Sequence, residues 1–164
     1  MRMKLRGNCW VFGDNINTDV IFPQRYSHLT DPKDLATHAM EGIDPDFPEK
    51  MKQEDIVVAG DNFGCGSSME HAPIALKAAG VGAVVASSFA RIFYRNAINL
   101  GIPVIESRAV IEDIDQGDEL EIDLIKGKVR NITKGKDYEI KPLPGFLMEI
   151  LDQGGLIPHL KSIL

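Results

Sequence analysis

The sequence predicts an α/β fold with a parallel βαβ centre and added antiparallel hairpin strands, and three observations carry that prediction. Ile56-Val57-Val58-Ala59, Ala83-Val84-Val85-Ala86 and Val104-Ile105 are short, uncharged apolar runs. Helix-length segments closed by Gly80 and Gly101 separate them. Continuous apolar strands alternating with helices mark parallel strands buried on both faces. The third observation is the strict alternation of Leu120-Glu121-Ile122-Asp123-Leu124, the pattern of a half-buried antiparallel strand.

The elements follow in order. Asn8 to Phe12 reads as a strand that runs into a polar turn at Gly13-Asp14-Asn15. Asp14, Asn15, Asn17, Thr18 and Asp19 crowd into six residues, a density of short oxygen-bearing side chains that suits a loop held by Asx-type bonds. Val20-Ile21-Phe22 is a brief apolar stretch stopped by Pro23. A short helix is predicted over Pro32 to Met40, with Asp31 as N-cap and Gly42 beyond its end, and Gly42 to Lys52 reads as a connection. Strand 56–59 ends in a polar segment, and a helix over Pro73 to Ala79 follows, with Gly80 at its C-terminus. Strand 83–86, a helix over Phe89 to Leu100 and strand 104–105 complete the parallel unit. Lys126-Gly127-Lys128 turns the alternating strand toward Val129 to Ile132, and a last helix spans Phe146 to Asp152 before Gly154-Gly155. No repeat or linker interrupts the chain, so residues 1–164 are expected to form a single domain.

Composition excludes several function classes. Hydrophobic residues make up 44% and charged residues 26%, the averages of a globular protein rather than a disordered one. The longest uncharged stretch, Ala78 to Ala90, has 13 residues and two serines, too short and too polar to span a bilayer. A net charge of −6 argues against nucleic acid as a partner. The basic N-terminus lacks an apolar segment behind it, so no signal peptide is expected. The two cysteines, Cys9 and Cys65, are too few for a disulfide framework, and a reducing cytoplasm is the expected compartment. His28, His38 and His159 show no metal spacing, and two thiols cannot by themselves hold an iron–sulfur cluster.

The chemistry concentrates in Asn62-Phe63-Gly64-Cys65-Gly66-Ser67-Ser68-Met69-Glu70-His71-Ala72-Pro73. It follows a buried strand and precedes a helix, the place where open α/β sheets bind ligands. Its glycines allow backbone N–H groups to point into a concavity that holds an anion, helped by the helix N-terminus. Ser67-x-x-Glu70 also matches a capping box, a purely structural role, and spacing alone does not choose between cap and functional loop. Cys65 and His71 form a thiolate–imidazole pair only if the fold assembles them; a small buried cysteine is the plainer reading. No Lys-Ser/Thr follows the glycines, so this is not a P-loop. Arg91 and Arg95 lie four apart on one helix side, placed to pair with acidic residues or to meet a bound carboxylate.

Together with Ser88-Phe89-Ala90-Arg91-Ile92-Phe93-Tyr94-Arg95-Asn96, this segment resembles the family of 3-isopropylmalate dehydratase small subunits, the swivel domain of the aconitase superfamily. Phe12-Gly13-Asp14-Asn15-Ile16-Asn17-Thr18-Asp19 and Lys141-Pro142-Leu143-Pro144 extend the likeness over essentially the whole chain. The resemblance implies a swivelling β/β/α domain and a separate large subunit carrying a [4Fe–4S] cluster, joined as a heterodimer or heterotetramer. Such a hydro-lyase isomerises 2-isopropylmalate and 3-isopropylmalate, in leucine biosynthesis, by dehydration and rehydration. The cluster acts as a Lewis acid on the departing hydroxyl. By the same resemblance Ser67 is the base, Ser68 and Gly66 bind substrate, and Gly64, Cys65, Glu70 and His71 support the loop. The segment Tyr26-Ser27-His28-Leu29-Thr30 corresponds to the family's substrate-specificity loop; Leu29 suits an isopropyl group, whereas His28 suits the extra carboxylate of a homoaconitate-type substrate.

Met69 departs from the family, which has at that place an arginine gripping a substrate carboxylate. Another cation (Arg25, Arg91 or one from the partner) replaces it, or the substrate differs, or the chain is impaired. A non-catalytic, anion-binding regulatory module using the same glycine loop is the alternative from another functional class.

Overall fold

The computed structural model describes residues 3–164. Seven strands form one sheet in the order β4-β3-β2-β1-β5-β6-β7. β1 (Lys4–Val11), β2 (Ile56–Ala59), β3 (Ala83–Ala86) and β4 (Val104–Glu106) are mutually parallel. β5 (Glu119–Asp123), β6 (Lys128–Asn131) and β7 (Lys136–Glu139) continue the sheet antiparallel. β1 therefore joins two regimes, with Cys9 opposite Ile56 on one edge and Gly7 opposite Leu120 on the other.

The period of two along the apolar strands divides the core between two faces. Val57, Ala59, Val84, Ala86 and Val104 face a cluster built with α2 (Pro32–Ala36), α4 (His71–Ala79), α5 (Arg91–Asn99) and α7 (Gly145–Asp152). Ile56, Val58, Ala83, Val85 and Ile105 face a second cluster with Val110 of α6 (Arg108–Glu112) and Leu120, Ile122 and Val129 of the antiparallel strands. Every residue of β2 and β3 is buried, which is why their sequences show no alternation. β5 alternates half-buried and buried positions, as its sequence predicted.

Local differences from the predicted elements have local causes. β1 begins four residues earlier than expected because Lys4 to Asn8 pair with β5. The apolar stretch Val20-Ile21-Phe22 is partly helical: Thr18–Ile21 forms one helical turn, α1, because Asn17 caps it by accepting from the Val20 N–H at 2.9 Å. α2 carries the predicted Asp31 cap but stops at Ala36. The amides of Met40 and Gly42 are drawn instead to the carbonyls of Ile21 and Val20, at 2.7 and 3.0 Å. α4 begins at His71, so Pro73 is its third residue. A first-turn N–H has no intrahelical acceptor, so proline costs no bond there. The sequence reading lacked α3 (Phe47–Lys50), α6, β7 and a C-terminal α8 (Leu156–Ile163). These are one-turn, edge or largely exposed elements, whose patterns carry little burial signal.

Buried polar groups brace each half of the sheet. Asp55, 5% exposed, accepts from the Trp10 indole at 2.9 Å and from the amides of Lys52 and Asn8 at 2.9 and 3.3 Å. Asp118, also 5% exposed, accepts from Asn131 at 2.9 Å and from the Asp115 amide at 3.0 Å, with Lys134 at 3.6 Å. Burial raises the Asp118 pKa, but these hydrogen bonds and the Lys134 charge outweigh it and the net shift is downward. Its ionised form therefore stabilises the fold above the ordinary carboxylate value of about 3.9, and that contribution is lost as pH falls through the lower folded value. Denaturant unfolding measured against pH is expected to show Asp118→Asn less stable than wild type at pH 7 and with a shallower loss of stability below pH ~4.

Candidate active site

Two loops leave the carboxyl ends of the adjacent parallel strands β1 and β2, and their backbones fasten together residue by residue. The Gly60 amide donates to Gly13 O at 3.0 Å, Asn15 to Asp61 O at 2.8 Å, Gly64 to Ile16 O at 2.7 Å and Thr18 to Cys65 O at 2.8 Å. Side chains reinforce the seam: Asp14 accepts from the Asp61 amide at 2.7 Å, and Asn62 donates to Asn15 at 3.2 Å. Asn15 and Asn62 both sit at positive φ, 54° and 60°, a conformation asparagine tolerates better than most residues. A third element completes the frame, with Phe63 paired to Phe89 and the Ala90 amide bonded to Phe63 O at 2.9 Å just before α5 begins.

The seam delivers Ser67 to a defined partner. Its hydroxyl lies 3.0 Å from that of Thr18, the first residue of α1, which is 2% exposed while Ser67 is exposed. Among the described residues Thr18 has no other hydroxyl partner. The capping-box reading of Ser67 fails, because α4 is preceded by Glu70 as its cap residue and no side chain caps it. Among the described residues, the backbone N–H groups from Gly66 through Ala72 donate to no protein acceptor. These unpaired amides precede and open a nine-residue helix, in the same segment as the Ser67 hydroxyl; such donors are the kind that negative groups satisfy.

Two glycines are required by this path. Gly64 has φ +81° and lies against the Phe93 ring, where a β-carbon would fall. Gly66 has φ +100°, and a β-carbon there would sit 3.3 Å from the Thr18 oxygen.

The other sequence candidates are placed as follows. Ser68 is exposed, and its carbonyl accepts from Asn96 at 3.5 Å. Cys65 contributes its carbonyl to the seam and makes no hydrogen bond to His71 among the described residues. The His71 ring instead stacks on Phe22, centroids 5.6 Å apart at 22°. Glu70 is exposed and supplies its carbonyl to the Ile74 amide at 3.1 Å. Met69 is half-buried and packs against the buried cluster beneath the helices.

Of the cations named from sequence, Arg25 is engaged with Glu41 at 3.2 Å and lies over the Tyr26 ring at 4.8 Å. Arg91 and Arg95 are exposed and, among the described residues, form no ion pair, so the expected pairing with acidic residues does not occur. They line a surface hollow of about 330 Å³ with Phe89, Tyr94 and Glu106.

In the 26–30 segment Tyr26 ends a 3-10 turn and donates to Glu41 at 3.0 Å. Leu29 packs against the core, and Ser27, His28 and Thr30 are exposed.

Sequence reasoning missed Thr18 as the partner of Ser67. Its signal was the Asn17 cap followed by a buried hydroxyl residue in the dense Asx loop. Among the described residues no group of three or more His, Cys, Asp or Glu side chains is placed to hold a metal ion. Cys9 is enclosed in β1, and burial pushes its thiol up to about 12. These residues do not fit an iron–sulfur cluster.

The family model of the aconitase C-terminal domain matches residues 12–109. The chain belongs to that family. It is 54% identical over 162 residues to the 3-isopropylmalate dehydratase small subunit of Thermodesulfovibrio yellowstonii, covering 99% of this chain and 96% of that one. It is equally identical, over the same shares, to the isopropylmalate/citramalate isomerase small subunit of Methanocaldococcus jannaschii. Among solved structures, 3-isopropylmalate dehydratase from Methanocaldococcus jannaschii matches with a TM-score of 0.93 at 48% identity, over 98% of this chain and 95% of that one. The fold is thus that of the aconitase-superfamily swivel domain, and small-subunit relatives imply a large-subunit partner.

Gly64→Ala is expected to lower the unfolding free energy by about 3 kcal/mol, because it combines a strained positive φ with a clash against Phe93. Urea denaturation followed by the fluorescence of Trp10, the single tryptophan, measures it.

Proposed function

We propose that this chain, acting as one swivel domain, is the small subunit of a hydro-lyase that isomerises 2-isopropylmalate and 3-isopropylmalate in leucine biosynthesis. The observation that carries the reading is the Ser67 hydroxyl, held by buried Thr18 in a segment whose backbone amides are unpaired among the described residues. Relatives named as 3-isopropylmalate dehydratase small subunits support it. The large subunit carries the [4Fe–4S] cluster in this reading, since the residues of this chain do not fit one.

Within this chain the chemistry is proton transfer and carboxylate binding. Ser67 Oγ takes the proton from the carbon α to a substrate carboxylate and returns it, on the neighbouring carbon, during rehydration. Unaided, a serine hydroxyl is far too weak an acid to exist as the alkoxide this needs. Thr18 donating to Ser67 Oγ, together with nearby amides and the N-terminus of α4, stabilises the negative oxygen. In this reading Ser68 and the Gly66 amide bind the carboxylate itself. Met69 supplies no charge, so the amide row and cations brought by the partner meet the substrate's carboxylates.

One relative is named as an isopropylmalate/citramalate isomerase small subunit, which favours a second substrate with a smaller alkyl group. Anaerobic hydration assays on the chain co-expressed with a cluster-bearing large subunit test both, by loss of double-bond absorbance from isopropylmaleate, methylmaleate and cis-homoaconitate. Turnover is expected only with both chains present and is greatest with isopropylmaleate. Ser67→Ala is expected to lower kcat at least ~1,000-fold, as removal of the base requires. Activity retained by Ser67→Ala, or absent from a well-formed wild-type complex, overturns the proposal. Thr18→Val is expected to lower kcat about 10- to 100-fold with KM and melting temperature little changed, because it removes only the hydroxyl that orients Ser67.

A further inference from the structure

Glu41 stands outside the machinery described above and gathers three donors onto one carboxylate. Arg25 Nη2 reaches it at 3.2 Å, the Tyr26 hydroxyl at 3.0 Å, and His38 Nδ1 binds its second oxygen. The Tyr26 ring lies flat on His38, with centroids 3.6 Å apart at 13°. Phe22, wholly buried, meets both rings edge-on at 6.3 Å, and it is the ring on which His71 stacks. Burial raises the Glu41 pKa, yet the His38 and Tyr26 hydrogen bonds and the charges of His38 and Arg25 outweigh it, and the net shift is downward.

Tyr26 thus has both its ring and its hydroxyl engaged, and Leu29 is turned onto the core. What the 26–30 segment presents outward is Ser27, His28 and Thr30. Their position depends on where Tyr26 is held. Phe22 links that anchor to His71, which opens the helix just after Ser67 and Ser68.

We infer that Glu41 is a positioning residue for substrate selection: its clamp on Arg25, Tyr26 and His38 fixes the exposed face of residues 27–30 that reads the substrate's variable group. This rests on the isopropylmalate-type reading of the site. A carboxylate on this clamp needs no contact with substrate to set discrimination, because a side chain displaced by a fraction of an ångström changes the shape a substrate group meets.

The test uses the complex with the large subunit and three variants: Glu41→Ala, Glu41→Gln and Tyr26→Phe. With Glu41→Ala, KM for isopropylmaleate is expected to rise about 10-fold with kcat within about twofold, and the kcat/KM preference for isopropylmaleate over methylmaleate to shrink about 10-fold. Glu41→Gln keeps an acceptor oxygen for Tyr26 and retains most of the preference. Tyr26→Phe, which removes one bond and no ring, gives an intermediate loss and serves if Glu41→Ala fails to fold. A second arm needs no turnover: trypsin cleavage after Arg25 in the complex is expected to be about 10-fold faster in Glu41→Ala and Tyr26→Phe than in wild type. A preference unchanged within twofold, even with a lowered melting temperature, overturns the inference, because a purely structural residue gives that result. So does an unchanged cleavage rate. A wild-type complex that turns over neither substrate refutes the functional reading instead, and the cleavage rate then decides the clamp alone.

Discussion

The seam between residues 13–18 and 60–65 is the constraint on which the site depends. β1 and β2 are parallel neighbours, so the loops that follow them emerge side by side at the same end of the sheet. Two unconnected loops there would leave a row of unpaired amides and carbonyls. Bonding them to each other satisfies these groups and fixes the loops' relative height. Thr18 and Ser67 are 49 residues apart in sequence, yet their hydroxyls meet because Thr18 makes the last rung of that ladder, to Cys65, and Ser67 follows Cys65 by two residues.

The two-faced core supplies the rigidity behind the seam. Strands β2 and β3 bury every side chain, half toward the helices and half toward the curled antiparallel strands. A loop on such strands inherits a base that shifts little. On the helical side, Phe63, Phe89 and Phe93 form a cluster of ring contacts between 5.1 and 6.3 Å. Gly64 leaves room for it, which makes that glycine a packing requirement as well as a conformational one.

Above this base the seam ends at Cys65, and the chain from Gly66 to the start of α4 is left without backbone partners for its amides among the described residues. Ser67 does not cap α4, and among the described residues the amides from Gly66 through Ala72 have no protein acceptor. A helix start left without a side-chain cap carries unsatisfied donors, a cost that binding a negative group offsets. The aromatic and ionic cluster around Glu41 has the opposite character: its polar groups are answered within the protein, and it holds a loop still instead of presenting an open site.

The sequence by itself determined the parallel centre, the sheet's antiparallel extension and the glycine-flanked segment that is the candidate site. These follow from local patterns: uncharged strands, strict alternation in β5, glycine at helix ends and glycines flanking Cys65. It left Ser67 balanced between cap and functional group, since Ser-x-x-Glu has the same spacing in either role. Only the tertiary structure removed the cap, by starting α4 after Glu70, and gave the Ser67 hydroxyl its partner, Thr18 at 3.0 Å. The same holds for Tyr26 and Leu29, which sequence sets in an outward loop and the fold turns toward Glu41 and the core. Local pattern is written in neighbouring residues. The direction a loop side chain takes is set by partners brought from distant parts of the chain, and no periodicity records them.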